Sequence, residues 1–383
     1  MKIALIIERM EPARGGRETS IAQIAANLAK RGHEVSIICQ QSSWSYEGVE
    51  VRQLGCKGRL RWQHLRNFVA DAQREIKSRH YDIVHSTLPL PGANVYQPRS
   101  GTVPAQVASR LRRGSLIRKL NVALNEQIKV RRLIMRKLER QVVEDPKVLC
   151  LAVSGLVAEE FKHYYKRHSA VRIIYNGVDA PLASCPERTQ WREQKRKKLE
   201  VGPDAFVLLS VANNFALKGV AETINAFAKW HHLQGGKTQA RLVVVGHDNP
   251  EVYRRRAEKK GIGAQVVFAG PTENIFQWYA GADACILLSW YDPCSRVVLE
   301  ATRWGIPSIT TAYNGAAEVL NDGGILVNSP VDTEAVVAAI DSLSEPRGRA
   351  ERAKNCLRIA DQVSIERHVD ELLEAYAEVL ERP

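Results

Sequence analysis

At 383 residues, the chain is long enough to form two domains of ordinary size, each with an apolar core of its own. Its 45% hydrophobic and 25% charged residues are typical of a folded globular protein and exclude an intrinsically disordered chain. The formal net charge is +13, and most of it comes from residues 99–140, where twelve lysines and arginines face only Glu126 and Glu139.

Apolar runs and cysteines indicate the compartment in which the chain works. The opening run MKIALII is shorter than the apolar region of a signal peptide, and no stretch of 18 residues is both apolar and uncharged. We therefore expect a cytoplasmic protein. The seven cysteines have neither zinc-site spacing nor the pattern of a disulfide framework, so we expect them to be reduced, with Cys39 and Cys285 buried.

The first half of the chain alternates between strand-like and helix-like segments. The predicted segments are, in chain order, the strand KIALII, a helix with Ile21, Ile24, Ala25 and Leu28 on one face, the strand EVSIICQ, a helix around residues 68–77, and the strands YDIVHS and VLCLAVS. Alternation of this kind predicts an α/β domain whose parallel sheet is covered on both faces.

The alternation pauses near Val178 and then starts again, which places a domain boundary there. The second half contains the predicted strands FVLLSVA, RLVVVG, QVVFAG, ACILLS and PSIT, with a helix at residues 220–230. The sequence therefore predicts two Rossmann-like domains, residues 1–178 and 179–363, with a cleft between them. Residues 364–383 are predicted to form a terminal amphipathic helix that crosses back to the first domain.

Ligands of open parallel sheets bind at the carboxyl ends of the strands, so the loops that follow strands are the first places to search. After the first strand, Gly15 and Gly16 precede a helix that begins with Arg17 and Glu18. This arrangement allows backbone N–H groups to approach a phosphate, although a glycine pair before a helix is also common as a simple tight turn.

A lysine follows the first strand of the second half. The loop NNFALKG begins at Asn213 and carries one cation, Lys218, beside Gly219. A lysine at the carboxyl end of a strand can neutralise a diphosphate. The alternative is a solvated surface lysine.

Two carboxylates flank one helix in the segment SWYDPCSRVVLEATRWGIPSITT. Asp292 lies in the loop before the helix, and Glu300 lies in its second turn among apolar residues. Asp292 can accept hydrogen bonds from sugar hydroxyls while the N–H groups of Ser295, Arg296 and Val297 receive phosphate oxygens. A glycoside hydrolase also uses two carboxylates, but the phosphate-suited helix end and the Lys218 loop favour a nucleotide sugar.

His85 ends a predicted strand of the first domain. From that position, it could face an acceptor hydroxyl or the sugar. A single histidine after a strand is also common as a structural group, so both interpretations remain open.

These segments resemble the retaining glycosyltransferases of sequence family four, which have the GT-B fold, and among them the lipopolysaccharide core glucosyltransferases. The matching pieces are GGRE, YNGVD, the Lys218–Gly219 pair, VVVGHD and DPCSRVVLEATRWGIPSITT. The resemblance implies two domains whose parallel sheets face each other across a central cleft. It also implies transfer of a hexose, by default glucose from UDP, with retention of configuration and with neither a metal nor a cofactor.

The resemblance also implies roles for individual residues. The Glu, seven residues, Glu motif of the family falls on Asp292 and Glu300, which would contact the donor sugar and the ribose hydroxyls, and the first position is Asp here. An arginine is usual near the lysine of the family loop, where this chain has Asn213 and Leu217, so Arg17 and Arg296 are candidates for the missing cation. The predicted catalytic residues are Asp292, Glu300, Lys218 and His85, and the predicted donor-binding residues are Gly15, Gly16, Arg17, Asn213, Lys218, Gly246, Asp292, Ser295, Arg296, Val297 and Glu300.

The basic segment, residues 99–140, mixes its cations with apolar residues from Leu111 to Leu138. This pattern favours amphipathic helices that contact an anionic membrane surface, with a solvated helix face as the alternative. Nucleic acid is the less favoured partner, since aromatic residues are few among the cations. The expected acceptor is a glycan or glycolipid such as a lipopolysaccharide core. The competing functions are a scaffold that binds glycan or another anionic partner without catalysis and a sugar-nucleotide epimerase.

Overall fold

The computed structural model describes residues 1–113, 130–181, 183–235 and 238–382. The chain divides into two compact units. The first unit is Met1–Val178 together with Ile365–Pro383, and the second unit is Asp179–Ser364. Each unit is an α/β structure built on one large parallel sheet, which confirms the predicted fold class.

The first unit contains a sheet of seven parallel strands in the order β5-β3-β1-β6-β7-β8-β9, and β2 pairs with β4 beside it. The strands are β1 (Lys2–Ile6), β2 (Arg9–Met10), β3 (Glu34–Cys39), β4 (Gln41–Ser42), β5 (Val49–Gln53), β6 (Ile83–Ser86), β7 (Val95–Tyr96), β8 (Leu149–Ala152) and β9 (Val171–Ile173). The central strand β1 has neighbours on both sides and is almost wholly apolar, as expected for a strand buried on two faces.

Helices cover both faces of this sheet. They are α1 (Gly16–Lys30), α2 (Arg61–Ser78), α3 (Val103–Arg112), α4 (Val130–Glu144), α5 (Gly155–Tyr165) and a terminal helix (Ile365–Glu381). On one face, Ile24 and Leu28 of α1 join Leu372 and Tyr376 of the terminal helix in a single apolar core. The terminal helix therefore completes the core of the first unit, although the 186 residues of the second unit separate it from the rest of that unit in the chain.

The second unit contains six parallel strands in the order β12-β11-β10-β13-β14-β15. The strands are β10 (Phe206–Val211), β11 (Ala240–Val245), β12 (Val266–Gly270), β13 (Ala284–Leu287), β14 (Ser308–Thr311) and β15 (Gly324–Val327). Its helices are α6 (Arg188–Lys198), α7 (Val220–Leu233), α8 (Glu251–Lys259), α9 (Phe276–Gly281), α10 (Arg296–Arg303), α11 (Thr333–Ser344) and α12 (Pro346–Arg358). Because β10 and β13 are neighbours, the loops that follow them leave the sheet at the same edge.

Part of the basic segment lies outside the described residues. The helices α3 and α4 contain most of the described part, and the predicted apolar residues between 114 and 129 fall in the part that is not described. Ile134 and Leu138 of α4 pack against the core beneath α2, whereas Val130 and Leu133 are about half exposed. The helix α4 is therefore amphipathic and presents some apolar surface outward.

The environment of the cysteines agrees with the expectation from the sequence. All seven cysteines are free, and Cys39 and Cys285 are fully buried, as their apolar surroundings predicted. Burial raises the pKa of the Cys39 thiol to about 12. No helix in the described part of the chain is both long and apolar enough to cross a membrane.

Candidate active site

The loops after β10 and β13 meet at the carboxyl edge of the second sheet. The ammonium of Lys218 forms an ion pair with the carboxylate of Asp292, 74 positions later in the chain. The Trp290 N–H donates to the Leu217 carbonyl oxygen at 2.9 Å and ties the two loops together through their backbones. The structure thus brings together two predicted site residues that the sequence placed in separate loops.

A positive φ and a close backbone contact explain why glycine, Gly219, follows Lys218. The φ of Gly219 is +68°, and a Cβ built at this position would lie 2.1 Å from the carbonyl oxygen of Leu288. A larger residue would force the loop away from the end of β13. Glycine therefore holds Lys218 close to the loop that carries Asp292.

Backbone bonds fix the position of Asp292. Its N–H donates to the Tyr313 carbonyl oxygen at 2.8 Å, and its carbonyl oxygen accepts from the Gly315 N–H at 2.9 Å. The residue is 8% exposed, so its carboxylate lies just beneath the surface. A carboxylate held in this way loses little conformational entropy when it accepts a further hydrogen bond.

At the N-terminus of α10, the Ser295 N–H, which was predicted to receive a phosphate oxygen, has a partner within the protein. The N–H of Ser295 donates to the side-chain oxygen of the buried Asn314 at 3.2 Å. Asn314 in turn donates to the Thr310 hydroxyl at 2.8 Å, which fixes its orientation. The Ser295 N–H is therefore already bonded within the protein, which argues against its predicted role of receiving a phosphate oxygen.

Glu300 lies one turn further along α10. Its carboxylate accepts a hydrogen bond from the Tyr279 hydroxyl at 3.1 Å and lies 3.3 Å from the guanidinium of Arg296. Burial raises the pKa of this carboxyl above its ordinary value, while Arg296 and Tyr279 act in the opposite direction. The side chain keeps 14% of its surface exposed, so hydroxyl groups of a ligand can still reach it.

A second glycine shapes the same edge. Gly246, directly after β11, has a φ of +143°, and a Cβ there would lie 1.8 Å from the Ala212 carbonyl oxygen. Beside it, the Asn213 side-chain oxygen accepts from the His247 N–H at 3.1 Å, and Asp248 accepts from the Phe215 N–H at 2.8 Å. The predicted donor residue Asn213 thus joins the loops after β10 and β11.

Two family models match the chain. The one described as "Glycosyl transferases group 1" matches residues 191–363, and the one described as "Glycosyltransferase Family 4" matches residues 14–181. The chain belongs to the family four glycosyltransferases.

Relatives and solved structures agree with this assignment. The glycosyltransferase is 26% identical to the lipopolysaccharide glucosyltransferase WaaG of Escherichia coli (strain K12), with 91% of each chain covered. It is also 26% identical to a D-inositol 3-phosphate glycosyltransferase of Thermomonospora curvata, with 94% of this chain and 90% of the relative covered. A crystal structure of WaaG superimposes with a TM-score of 0.80 at 23% identity and covers 97% of this chain and 98% of its own, which confirms the GT-B fold.

A structure of Anabaena Alr3699/HepE in complex with UDP and glucose is also similar in fold to the glycosyltransferase. The TM-score is 0.72 at 20% identity, and the match covers 98% of this chain and 99% of the other. This second likeness supports the same fold over almost the whole length of the chain.

The predicted donor residues of the first unit lie at the start of α1. Gly15 is the residue before the helix and Gly16 is its first residue. Arg17 forms an ion pair with Glu18 at 2.7 Å. Of the two candidates for the missing cation, Arg17 and Arg296, each is therefore already paired with a glutamate within its own helix.

The structure argues against a catalytic role for His85 in this glycosyltransferase. Its side chain is fully buried, and its Nδ1 atom lies 2.7 Å from the hydroxyl of Tyr376 in the terminal helix. Burial, aided by the nearby charge of Arg99, lowers the pKa of the imidazole to about 3, so the ring is neutral at pH 7. His85 lies on β6 and packs against the terminal helix, where it is not exposed to a substrate.

Three contributors to the site were not predicted. The Tyr279 hydroxyl donates to the Glu300 carboxylate, and the Asn314 side-chain oxygen accepts from the Ser295 N–H. The Asp248 carboxylate accepts from the Phe215 N–H in the Lys218 loop. Tyr279 lies in a short helix and Asn314 in a loop after β14, and neither position carries a recognisable sequence signal. Asp248 lies in VVVGHD, a piece that resembles the family and therefore offered a signal.

Proposed function

We propose that this glycosyltransferase moves a hexose, by default glucose, from UDP to a cell-envelope glycan or glycolipid such as a lipopolysaccharide core. The observation that carries the proposal is the ion pair of Lys218 with Asp292, on the same sheet edge as the helix that holds Glu300. Support for the sugar and the acceptor comes from the relative named as a lipopolysaccharide glucosyltransferase, and support for UDP comes from the HepE complex.

The chemistry of the three side chains suits a nucleotide diphosphate sugar. Lys218 has three N–H donors, so it can keep its bond to Asp292 and still donate to a phosphate oxygen. Asp292 accepts from hydroxyl groups of the transferred sugar, and Glu300 accepts from the ribose. A fixed cation near the diphosphate stabilises the negative charge that grows as the leaving group departs.

The proposed reaction retains the anomeric configuration and needs no divalent metal. The acceptor hydroxyl attacks on the face from which UDP leaves, and the departing phosphate takes the proton of that hydroxyl. With UDP-glucose, the new glycosidic bond is then α. Transfer in the presence of a chelator, followed by NMR of the anomeric proton, checks both points, and either a β product or full loss of activity with the chelator would contradict them.

A calorimetric titration without metal tests the donor site. We expect UDP to bind in preference to GDP and ADP, and Glu300→Ala to weaken UDP binding roughly ten- to a hundredfold, because hydrogen bonds to a charged group are lost. Glu334→Ala is the matched control, since Glu334 is an exposed carboxylate of the same unit that pairs with Lys229.

The other outcomes discriminate between the competing functions. Absence of binding for all three nucleotides would favour a scaffold without catalysis. Conversion of UDP-glucose to another UDP-hexose without an acceptor would favour an epimerase. Equal weakening in Glu300→Ala and Glu334→Ala would remove Glu300 from the donor site.

We further propose that the basic segment, residues 99–140, contacts the anionic inner face of the cytoplasmic membrane. In support, α4 exposes Val130 and Leu133 beside a row of arginines and lysines. Sedimentation with vesicles that contain anionic lipid should show binding that weakens as the salt concentration rises, because salt screens the attraction. Equal binding to neutral vesicles, or no binding at low salt, would contradict the proposal.

A further inference from the structure

A pocket of about 440 Å³ lies in the first unit, beyond the carboxyl ends of β1 and β3. Its volume falls within the range of about 300–1,000 Å³ that is usual for small-molecule sites. Six charged side chains line it, four arginines and two glutamates. They are Arg9, Arg17, Arg61, Arg131, Glu8 and Glu18.

The two glutamates are neutralised by two of the arginines. Arg131 reaches Glu8 with both of its terminal nitrogens, at 2.8 and 3.2 Å. Arg17 donates to Glu18 at 2.7 Å and again at 3.2 Å. These two ion pairs neutralise the carboxylates of Glu8 and Glu18. The net positive charge of the pocket therefore comes from the remaining two arginines.

Arg9 and Arg61 carry that charge. Neither has an acidic partner among the residues that the structure describes, although both line the pocket. Arg9 is half buried in β2, and Arg61 is the exposed first residue of α2. Two cations that line one concave site and have no carboxylate partner of their own create a positive potential there.

The neighbouring helices add to this potential. The first turns of α1 and α2 contribute Arg17 and Arg61 to the lining, so the positive ends of two helix dipoles lie near the pocket. A guanidinium binds phosphate and carboxylate through two parallel hydrogen bonds, and a neutral sugar offers no such group. The pocket is therefore built for an anion.

An adjoining pocket of about 150 Å³ shares Glu8, Arg17 and Arg131 with the first. It lies at the ends of β6 and β7 and is lined in part by Thr87 and Ser100. The anion pocket thus opens onto a polar recess that can accept the hydroxyl groups of the same ligand.

We infer that Arg9 and Arg61 bind an anionic substituent, phosphate or carboxylate, on the acceptor sugar of this glycosyltransferase. The inference rests on the proposed function, because it requires that the enzyme has an acceptor. The proposed donor side chains Lys218, Asp292 and Glu300 all belong to the second unit, and Arg17, the candidate donor cation of the first unit, is already paired. The two unpaired arginines are therefore assigned to the acceptor.

The test is a calorimetric titration with three probes, D-glucose 6-phosphate, D-glucuronate and D-glucose, each with and without saturating UDP. We expect at least one anionic probe to bind in the presence of UDP and D-glucose to bind at least tenfold more weakly. Arg9→Ala and Arg61→Ala should each weaken binding of the anion roughly ten- to a hundredfold. Lys77→Ala is the matched control, since it removes an exposed cation from the far end of α2.

Each outcome has a distinct meaning. Binding of only the phosphate or only the carboxylate identifies the substituent. Equal binding of D-glucose, wild-type affinity in both arginine variants, or loss of anion binding when UDP is present would overturn the inference, the last because the pocket would then belong to the donor. UDP binding is measured in the same samples, so its loss in the wild-type protein would instead remove the proposed function. Circular dichroism melting curves verify that the variants are folded.

Discussion

Replacing Lys218 with alanine is expected to lower the rate of glycosyl transfer about 10²–10³-fold, the usual cost of removing one preorganised group that stabilises charge in the transition state. Lys218 is the cation of its loop, and Gly219 and the Trp290 N–H hold that loop against the end of β13. In the proposed metal-independent reaction, no other cation of residues 213–219 can replace it. The effect should therefore appear mainly in kcat, since the charge on the leaving diphosphate grows during the reaction.

Lys229→Ala is the control for this variant. Lys229 lies on α7, directly after the Lys218 loop, and forms an exposed ion pair with Glu334. Its removal should leave the rate unchanged, because surface pairs of this kind contribute little to stability. Steady-state kinetics with UDP-glucose measure both variants, and a Lys218→Ala enzyme within threefold of the wild-type rate would show that the diphosphate is stabilised elsewhere.

Asp292 provides a further check on the same pair. Because Lys218 and Asp292 are in direct contact, the effects of Lys218→Ala and Asp292→Asn should not add in the double variant. Simple addition of the two free-energy losses would indicate that the residues act independently.

The strand and helix pattern of this chain was predictable because both sheets are parallel and covered on both faces. Strands buried in this way are continuous apolar runs, such as that of β10, and they end in polar loops that stand out in the sequence. The same logic selected Lys218, Asp292 and Glu300 as candidates, since each follows the carboxyl end of such a strand.

What the sequence did not reveal are contacts between segments that are distant in the chain. The burial of His85 depends on Tyr376, 291 positions later, and no local pattern reports such a neighbour. From the sequence, the Ser295 N–H was predicted to bind phosphate, but in the structure it donates to Asn314, 19 positions away. In both cases a polar atom that seemed functional in isolation, the His85 Nδ1 or the Ser295 N–H, already has a partner within the protein.

The glycines of the site can be recognised in the sequence, but the sequence does not show why glycine is required there. Gly219 and Gly246 both occur in family-like pieces, and each has a positive φ with a backbone carbonyl oxygen where a Cβ would lie. The contact partners, Leu288 and Ala212, are on neighbouring strand ends. These glycines set how closely adjacent loops approach, and that spacing places Lys218 beside Asp292.

Gly246→Ala is expected to destabilise the second unit by more than about 3 kcal/mol, the range reached when a side chain is forced into occupied core space. The added Cβ would lie 1.8 Å from the Ala212 carbonyl oxygen. Neither side can move easily, because the Gly246 N–H is bonded to the Gly270 oxygen at 2.9 Å and the Ala212 N–H to the Val245 oxygen at 2.8 Å. For a unit of this size the loss corresponds to a fall in Tm of roughly 6–12 °C.

Gly270→Ala separates the steric clash from backbone strain. Gly270 also has a positive φ, +73°, but a Cβ there would meet no atom within 4 Å. Its replacement should therefore cost only about 1–2 kcal/mol, the strain of a left-handed conformation. Thermal unfolding followed by circular dichroism compares the two. An equal fall in Tm in both variants would contradict this prediction. The need for glycine at position 246 would then come from its backbone conformation alone and not from the contact with the end of β10.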